Sequence, residues 1–173
     1  NEPAAAASLQ RAPLDLAALA LEASMEWAPV ALRRRIDLGF EGEAAGASGR
    51  PARIEGHADR VRELMNNLVD NAIKYSGEKV TVAVELGETG SRAATIRVSD
   101  KGAGIPVAEL GRIFKRFYRI PGTMTSRIKG AGLGLFIVKA VVARHGGTVF
   151  AESEGPGHGT TFTIQLPLAS NQP

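Results

Sequence analysis

Apolar and polar positions recur along this chain with two distinct periods. From Leu14 to about Arg33, Leu16, Leu19, Ala20, Ala23 and Trp27 repeat every three or four residues, which predicts one stripe of a helix. A second helix is predicted from a cap at Asp59 to about Tyr75, ended by Ser76-Gly77-Glu78. Its apolar face is Val61, Leu64, Met65, Leu68, Val69 and Ala72, and its polar face carries Arg60, Glu63, Asn67, Asn71 and Lys74. Leu133 to His145 predicts a third helix, so apolar that burial on most sides is expected, with Gly146-Gly147 as its stop. Alternation predicts strands at Ile36–Phe40, Val80–Leu86, Ala93–Asp100, Thr148–Ser153 and Thr160–Leu166, with a further short one at Arg53–Glu55. Val80–Leu86 and Ala93–Asp100 flank a Gly/Ser turn and read as a hairpin. Val107–Tyr118 reads as a short helix followed by an aromatic segment, Glu41–Arg50 as a loop, and Arg119–Ala131 as a mobile loop. The mixture of helices and strands, with adjacent late strands, gives an α+β class: one sheet with helices on one face, no internal repeat and no second domain.

Composition narrows the picture modestly. A chain of 173 residues fits one domain, and a domain of that size buries about 70% of its unfolded surface and needs no staple. Cysteine is absent, which excludes disulfides and thiolate metal sites and fits a reducing compartment. No apolar run reaches the roughly 18 residues of a membrane span, and Asn1–Ala7 lacks the basic start and apolar stretch of a signal peptide. The Ala-rich residues 1–12 read as a linker or frayed end, with the folded domain over 13–168 and a tail over 169–173. A net charge of +3 favours a polyanionic ligand or merely reflects an Arg-rich surface. Aromatics at 5% supply no stacking platform, so no nucleic-acid partner is expected. The 20 glycines say more than the charge, because many are clustered where backbone must come close to something.

Five segments carry candidate chemistry. Asn67 and Asn71 lie one turn apart on one helix face, with Lys74 and Tyr75 following. Asparagine is a poor helix residue, and a plainly solvated face is more usually Glu, Lys or Arg. An amide oxygen is a good hard ligand for Mg²⁺, and an ammonium one turn on can neutralise phosphate. Next, Ile96, Val98 and Asp100 share one strand face, so Asp100 is expected to be buried at the strand's inner end and to need a partner. The amino group of a heterocycle would serve, with Gly102 and Gly104 letting the chain turn around a flat ring; a plain Asp-Gly turn is the alternative. Third, Gly130-Ala131-Gly132-Leu133-Gly134-Leu135 opens the last helix, and a glycine loop into a helix N-terminus presents free N–H groups to phosphate. No strand precedes it and no Gly-Lys-Ser or Gly-Lys-Thr follows, which rejects the dinucleotide fingerprint and the P-loop. Phe114-Lys115-Arg116-Phe117-Tyr118-Arg119 and Gly157-His158-Gly159-Thr160-Thr161-Phe162 complete the set. The first places Arg forks beside the mobile loop and the second a Thr hydroxyl at a pocket edge, and taken singly each reads equally as structure.

In this order and register the five motifs resemble the catalytic domains of sensor histidine kinases, within the wider group that includes gyrase, the heat-shock-90 chaperones and the MutL repair proteins. The resemblance runs from about Pro13 to Pro167, and Pro13-Leu14-Asp15-Leu16 looks like the usual opening of such a domain. It implies a two-layer α/β sandwich with a mixed, mostly antiparallel sheet and ATP held beneath a lid loop. By that similarity Asn71 holds Mg²⁺, Asn67 lines the same site, Lys74 contacts phosphate and Tyr75 lies against adenine. Asp100 accepts from the adenine amino group with Thr160 in support, beside Gly102, Gly104 and Ile105. Arg119, and with it Arg116, reaches the γ-phosphate, while Gly130, Gly132, Leu133, Gly134 and Leu135 form the lid hinge and phosphate loop. The hydrolysing relatives carry a Glu where this chain has Asn67, and an amide cannot act as a base on water. Transfer to a better nucleophile is therefore expected. None of His57, His145 and His158 sits in the acidic-flanked acceptor motif, so the acceptor histidine is expected on dimerisation helices N-terminal to Asn1. Further expectations are a response-regulator receiver domain as partner and a cytoplasmic location, the whole protein being either anchored in the inner membrane or free of it. An anti-sigma-factor-type serine kinase and a non-catalytic nucleotide-binding module are the alternatives. The aromatic Phe-Tyr-Arg segment and the long lid count against the former.

Overall fold

The structure, a computed structural model, describes residues 10–42, 52–86, 92–120 and 133–170. Its elements in chain order are β1 (Ala12–Asp15), α1 (Leu16–Arg33), β2 (Asp37–Gly42), β3 (Arg53–Gly56), α2 (Ala58–Tyr75), β4 (Lys79–Leu86), β5 (Ala93–Asp100), a 3-10 turn at Val107–Glu109, α3 (Gly134–Arg144), β6 (Thr148–Glu152) and β7 (Thr160–Pro167). Five strands form one sheet in the order β2-β4-β5-β7-β6. The β2–β4 pair is parallel and the other pairs are antiparallel. Helices α1, α2 and α3 cover one face, α1 against β2, α2 against β5 and α3 against β6, with α2 packed between the other two. This is the α+β two-layer sandwich with a mixed, mostly antiparallel sheet.

The core follows from the two periodicities. Val80, Val82, Val84, Ile96, Val98, Phe162, Ile164 and Leu166 point from the sheet into the helical layer. Leu64, Met65, Leu68 and Ile73 meet them from α2, and Leu16, Leu19, Ala20 and Ala23 from α1. Asp15 caps α1 by accepting from the N–H of Ala18 at 3.1 Å. The opposite sheet face is largely polar, with Arg97 paired to Glu85 and Ser99 to Thr161.

Several expectations give way to the structure. Leu14 belongs to β1, which pairs antiparallel with β3, so the helix starts only at Leu16. Beyond the expected bounds, the Arg11 guanidinium donates to the Arg144 carbonyl and the Ala169 N–H to the Arg53 carbonyl. Val107–Tyr118 is a run of i,i+3 turns rather than an α-helix, with bonds from Arg112 to Glu109, Lys115 to Arg112 and Tyr118 to Lys115. Gly111 weakens helix propensity there, and Phe117 adopts a left-handed φ of 61° that no α-helix accommodates. α3 is less enclosed than its apolar sequence suggests: Val138, Val141 and Val142 are buried, whereas Phe136 is 38% exposed. The expected loop at 41–50 lies outside the described residues from 43 on, and the expected mobile loop from 121 on.

The start of α2 departs from expectation in an informative way. His57, not Asp59, occupies the cap position and its side chain makes no capping bond, while Asp59 sits in the first turn near Arg62. The His57 N–H instead donates to Nε2 of His145 at 3.1 Å, and Nδ1 of His145 donates to the Val141 carbonyl at 2.8 Å. With Nε2 accepting, His145 is the neutral Nδ1–H tautomer. Burial pushes its pKa below the usual 6.5, helped by the charges of Arg11 and His57 and opposed by the Val141 carbonyl.

The unfolded chain therefore takes up this proton near pH 6.5 while the folded chain resists it. Stability should be full above that pH and fall as pH drops toward the lowered folded value, by at most about 1.4 kcal/mol per pH unit. Urea unfolding between about pH 7.5 and 5.5 measures the slope. His145→Gln should flatten it, and an unchanged slope would assign the proton to another group.

Candidate functional site

A cleft of about 240 Å³ opens between the polar face of α2, the end of β5, the start of α3 and the segment Ile113–Ile120. Its floor is Asp100, the last residue of β5, the middle strand of the sheet. Asp100 shares the inward face with Ile96 and Val98, as the alternation predicts, and is only 9% exposed. One carboxylate oxygen accepts from the Gly102 N–H at 2.8 Å. Burial raises its pKa above the usual 3.8, and the backbone N–H groups of Gly102 and Thr160 partly hold it down. Thr160 lies directly across the β5–β7 ladder and is itself buried.

The glycines around Asp100 are demanded by backbone meeting backbone. A Cβ at Gly102 would stand 1.9 Å from the Tyr75 carbonyl oxygen, and one at Gly159 2.1 Å from that of Asp100. Gly104 has a left-handed φ of 71°, and its Cβ would lie 2.1 Å from the Gly155 carbonyl oxygen. The turn is stitched by Ala103 N–H to Tyr75, Gly157 N–H to Ala103 and Gly159 N–H to Gly102. Ser153 supplies the last stitch: its hydroxyl accepts from the Ile105 N–H at 3.0 Å and donates to the Gly159 carbonyl at 2.7 Å. Gly102 thus shapes the site without lining it, while Gly104 and Ile105 do line it.

On α2, Asn67, Asp70, Asn71 and Lys74 fall at i, i+3, i+4 and i+7 and all face the cleft, with Tyr75 beside them. The Lys74 ammonium meets the Asp70 carboxylate at 2.9 Å. Asn66 has a separate task, accepting from the Trp27 indole at 3.2 Å. Across the cleft, Leu133, Gly134 and Leu135 begin α3, and a Cβ at Gly134 would lie 3.6 Å from the Asn67 amide oxygen. Leu133 at the cap position makes no capping bond, and the first N–H groups of the helix, beside the cleft, have no intrahelical partner. Gly130 and Gly132 lie outside the described residues.

Arg119 lines the cleft and Arg116 does not. The left-handed turn at Phe117 separates the two, and Arg116 stacks over the Phe117 ring at 4.8 Å and toward Phe136 at 6.0 Å. In this arrangement Arg116 stands outside the cleft lining, beside Phe117 and Phe136. Tyr118, Ile113, Ile120 and Phe162 also line the cleft, and the Tyr118 hydroxyl donates to the Glu109 carboxylate. Asp70 was legible in principle from its spacing, three residues from Asn67 and four from Lys74. Ser153 carried no signal, because a lone serine after a strand is unremarkable.

The donors that the cleft offers a cation are amide and carboxylate oxygens, a hard set. Among the described residues no group of three or more His, Cys, Asp or Glu could cage a metal. An ion at Asn71 would complete its shell from water and an anionic ligand, which suits Mg²⁺.

Comparison with known proteins places this geometry. Residues 56–170 match the family described as histidine kinase-, DNA gyrase B-, and HSP90-like ATPase. The sensor histidine kinase WalK of Bacillus subtilis (strain 168) is 38% identical over 121 residues, 69% of this chain and 20% of that protein. The signal transduction histidine-protein kinase/phosphatase MprB of Mycobacterium sp. (strain KMS) is 41% identical over 138 residues, 78% of this chain and 25% of that protein. The chain thus spans a quarter or less of these relatives' length. Among solved structures, the mycobacterial sensor histidine kinase MprB superposes with a TM-score of 0.73 at 30% identity, over 91% of this chain and 97% of that one. The catalytic domain of the histidine kinase ThkA gives 0.76 at 25% identity, over 92% and 99%. Full-length ShkA in complex with AMPPNP gives 0.78 at 26% identity, over 95% of this chain and 32% of that one.

Gly104→Ala should destabilise the domain by about 1–3 kcal/mol from backbone conformation alone, with the clash at Gly155 adding to it. Gly111→Ala, where a Cβ meets nothing within 4 Å, should stay within about 0.5 kcal/mol of the parent. Urea unfolding of the two variants checks the contrast, and equal stabilities would mean that the Asp100 turn is not rigid.

Proposed function

The chain belongs to the family of histidine kinase-, DNA gyrase B-, and HSP90-like ATPases, and from that membership we propose that it is the catalytic ATP-binding domain of a sensor histidine kinase. The observation that carries the reading is the meeting, in one cleft, of a buried carboxylate, a row of amides and an uncapped helix start. Asp100 accepts from the adenine amino group, with Thr160 beside it and Ile105, Ile113 and Phe162 bounding the base. Tyr75 lies at the cleft edge against the ring. Lys74 and Arg119 meet the phosphates, and the free N–H groups of Gly134 and Leu135 meet them from the opposite side. The bound AMPPNP of ShkA supports an adenine nucleotide as ligand.

Asn71 would hold Mg²⁺, with Asn67 one turn before it lining the same site, and the ion would supply neutralisation of the phosphate charge. Phosphoryl transfer depends on positioning and charge neutralisation far more than on covalent help from the protein. The bond between the γ-phosphorus and its bridging oxygen breaks, a P–N bond to an imidazole forms, and ADP leaves. The amide at Asn67 cannot deprotonate water, which favours an imidazole acceptor over hydrolysis. That acceptor lies on a separate dimerisation segment. Among this chain's histidines, His57 and His145 are engaged with each other, and His158 lies in the exposed glycine turn with its N–H bound to Gly155. The phosphoryl group then passes to a response-regulator receiver domain. Arg116, stacked on Phe117 at the cleft's flank, stands behind Arg119 as the second guanidinium of the proposed set. No helix among the described residues is long and apolar enough to cross a membrane. We place the domain in the cytoplasm, whatever anchors the whole protein.

Asp100→Ala should weaken ATP binding by about 1–3 kcal/mol in a calorimetric titration, the loss typical of a buried polar partner. Equal affinity of the parent domain for ATP and GTP would overturn the role of Asp100. Asn71→Ala should weaken the Mg²⁺ dependence of binding, and an unchanged dependence would place the metal elsewhere. With isolated histidine-bearing helices and labelled ATP, acid-labile phosphohistidine supports the proposal, and acid-stable phosphoserine would replace it.

A further inference from the structure

The charged side chains lining the cleft sum to nothing. Among the described residues they are Lys74 and Arg119 on one side of the ledger and Asp70 and Asp100 on the other. A site for a polyphosphate would ordinarily be expected to carry a surplus of positive charge. The shortfall traces to one residue. Asp100 sits at the floor, in the position of the base, whereas Asp70 stands on α2 one residue before Asn71 and holds the Lys74 ammonium at 2.9 Å. The two side chains are 29% and 35% exposed, so solvent screens the pair only in part. With Asp70 in place, the lysine on the cleft face is already paired, and a carboxylate stands beside it on the same face.

We propose that Asp70 makes nucleotide binding conditional on the metal: it cancels Lys74 and repels bare phosphate, so that only a nucleotide carrying its divalent cation fits the cleft electrostatically. This rests on the reading of the cleft as an ATP site. The role is one of selection and positioning. Asp70 keeps the Lys74 ammonium at a fixed place on the α2 face, and its charge sets which ionic form of the ligand is accepted. Helix packing does not require an acid here, since the side chain faces the cleft and the buried face of α2 is complete without it.

Binding of a fluorescent ATP analogue to the 173-residue chain, in saturating Mg²⁺ and again in EDTA, tests the idea. Asp70→Asn should bind metal-free nucleotide about three- to tenfold more tightly than the parent, the effect of removing one partly exposed charge at contact range. Its affinity in Mg²⁺ should change less, so the ratio of the two affinities contracts. Asp70→Ala should show the same gain, and Asp70→Glu, which keeps the charge, should not. Thermal unfolding of each variant confirms that it is folded. Metal-free affinity that is unchanged or weaker in both Asp70→Asn and Asp70→Ala would overturn the inference while leaving the nucleotide site standing. A parent chain that binds no nucleotide even with Mg²⁺ would instead overturn the function proposed above.

Discussion

Burying a carboxylate at the end of the central strand is the constraint from which the rest of the site follows. An ionised group out of water is costly unless something answers it. Here the protein answers part of the demand, through the N–H groups of Gly102 and Thr160, and the other side of Asp100 faces the cleft. To bring those N–H groups in, the chain after β5 has to fold back under Tyr75 and against the β6–β7 turn. Side chains would obstruct that path at Gly102, Gly104 and Gly159, which is why the glycines stand where they do. The glycines serve the carboxylate by letting backbone pack on backbone, and contact with a flat ligand is at most a second use.

The second dependence is on α2, which carries both layers of the problem on one rod. Its apolar face, from Val61 to Ile73, is sealed between α1, α3 and the sheet, so the helix cannot roll or slide without opening the core. The cleft face is thereby fixed in register with Asp100. Asn66 shows how finely the helix is divided, since it bonds the Trp27 indole while its neighbour Asn67 faces the cleft. The start of α2 is fixed differently, by a neutral histidine reaching across from the end of α3. Two helices that frame the cleft from opposite sides are thus tied together at the ends remote from it.

How much could be read beforehand depends on whether the deciding contact is local. The α2 face, the β4–β5 hairpin and the inward position of Asp100 all follow from periodicity within one segment, and they stand as the sequence suggested. The β1–β3 pairing did not show, because it joins residues some forty positions apart through a strand of four. His57 and His145 looked inert one at a time, since their meaning lies in a contact over 88 positions. The apolar run of α3 overstated its burial, because hydrophobicity alone does not say how many neighbours a helix at the edge of its layer will find. Arg116 and Arg119 are three residues apart in a segment whose direction depends on one left-handed backbone at Phe117, and no propensity scale places that turn. Asp70 was overlooked for a simpler reason: an acid four residues before a lysine on a helix is commonly a solvated ion pair.

What the cleft lacks is as instructive as what it holds. Among its described lining residues there is no histidine, no serine and no cysteine, and its carboxylates are Asp70, paired with Lys74, and Asp100, held on one side by its turn. What those residues supply to an anionic ligand is amide oxygens, a paired ammonium and a guanidinium, groups that bind, orient and balance charge. The balance of charge among them fits the selectivity proposed for Asp70, by which the ligand must bring its own cation. Fold and charge therefore fit the reading proposed above, in which this domain holds the phosphoryl donor in place.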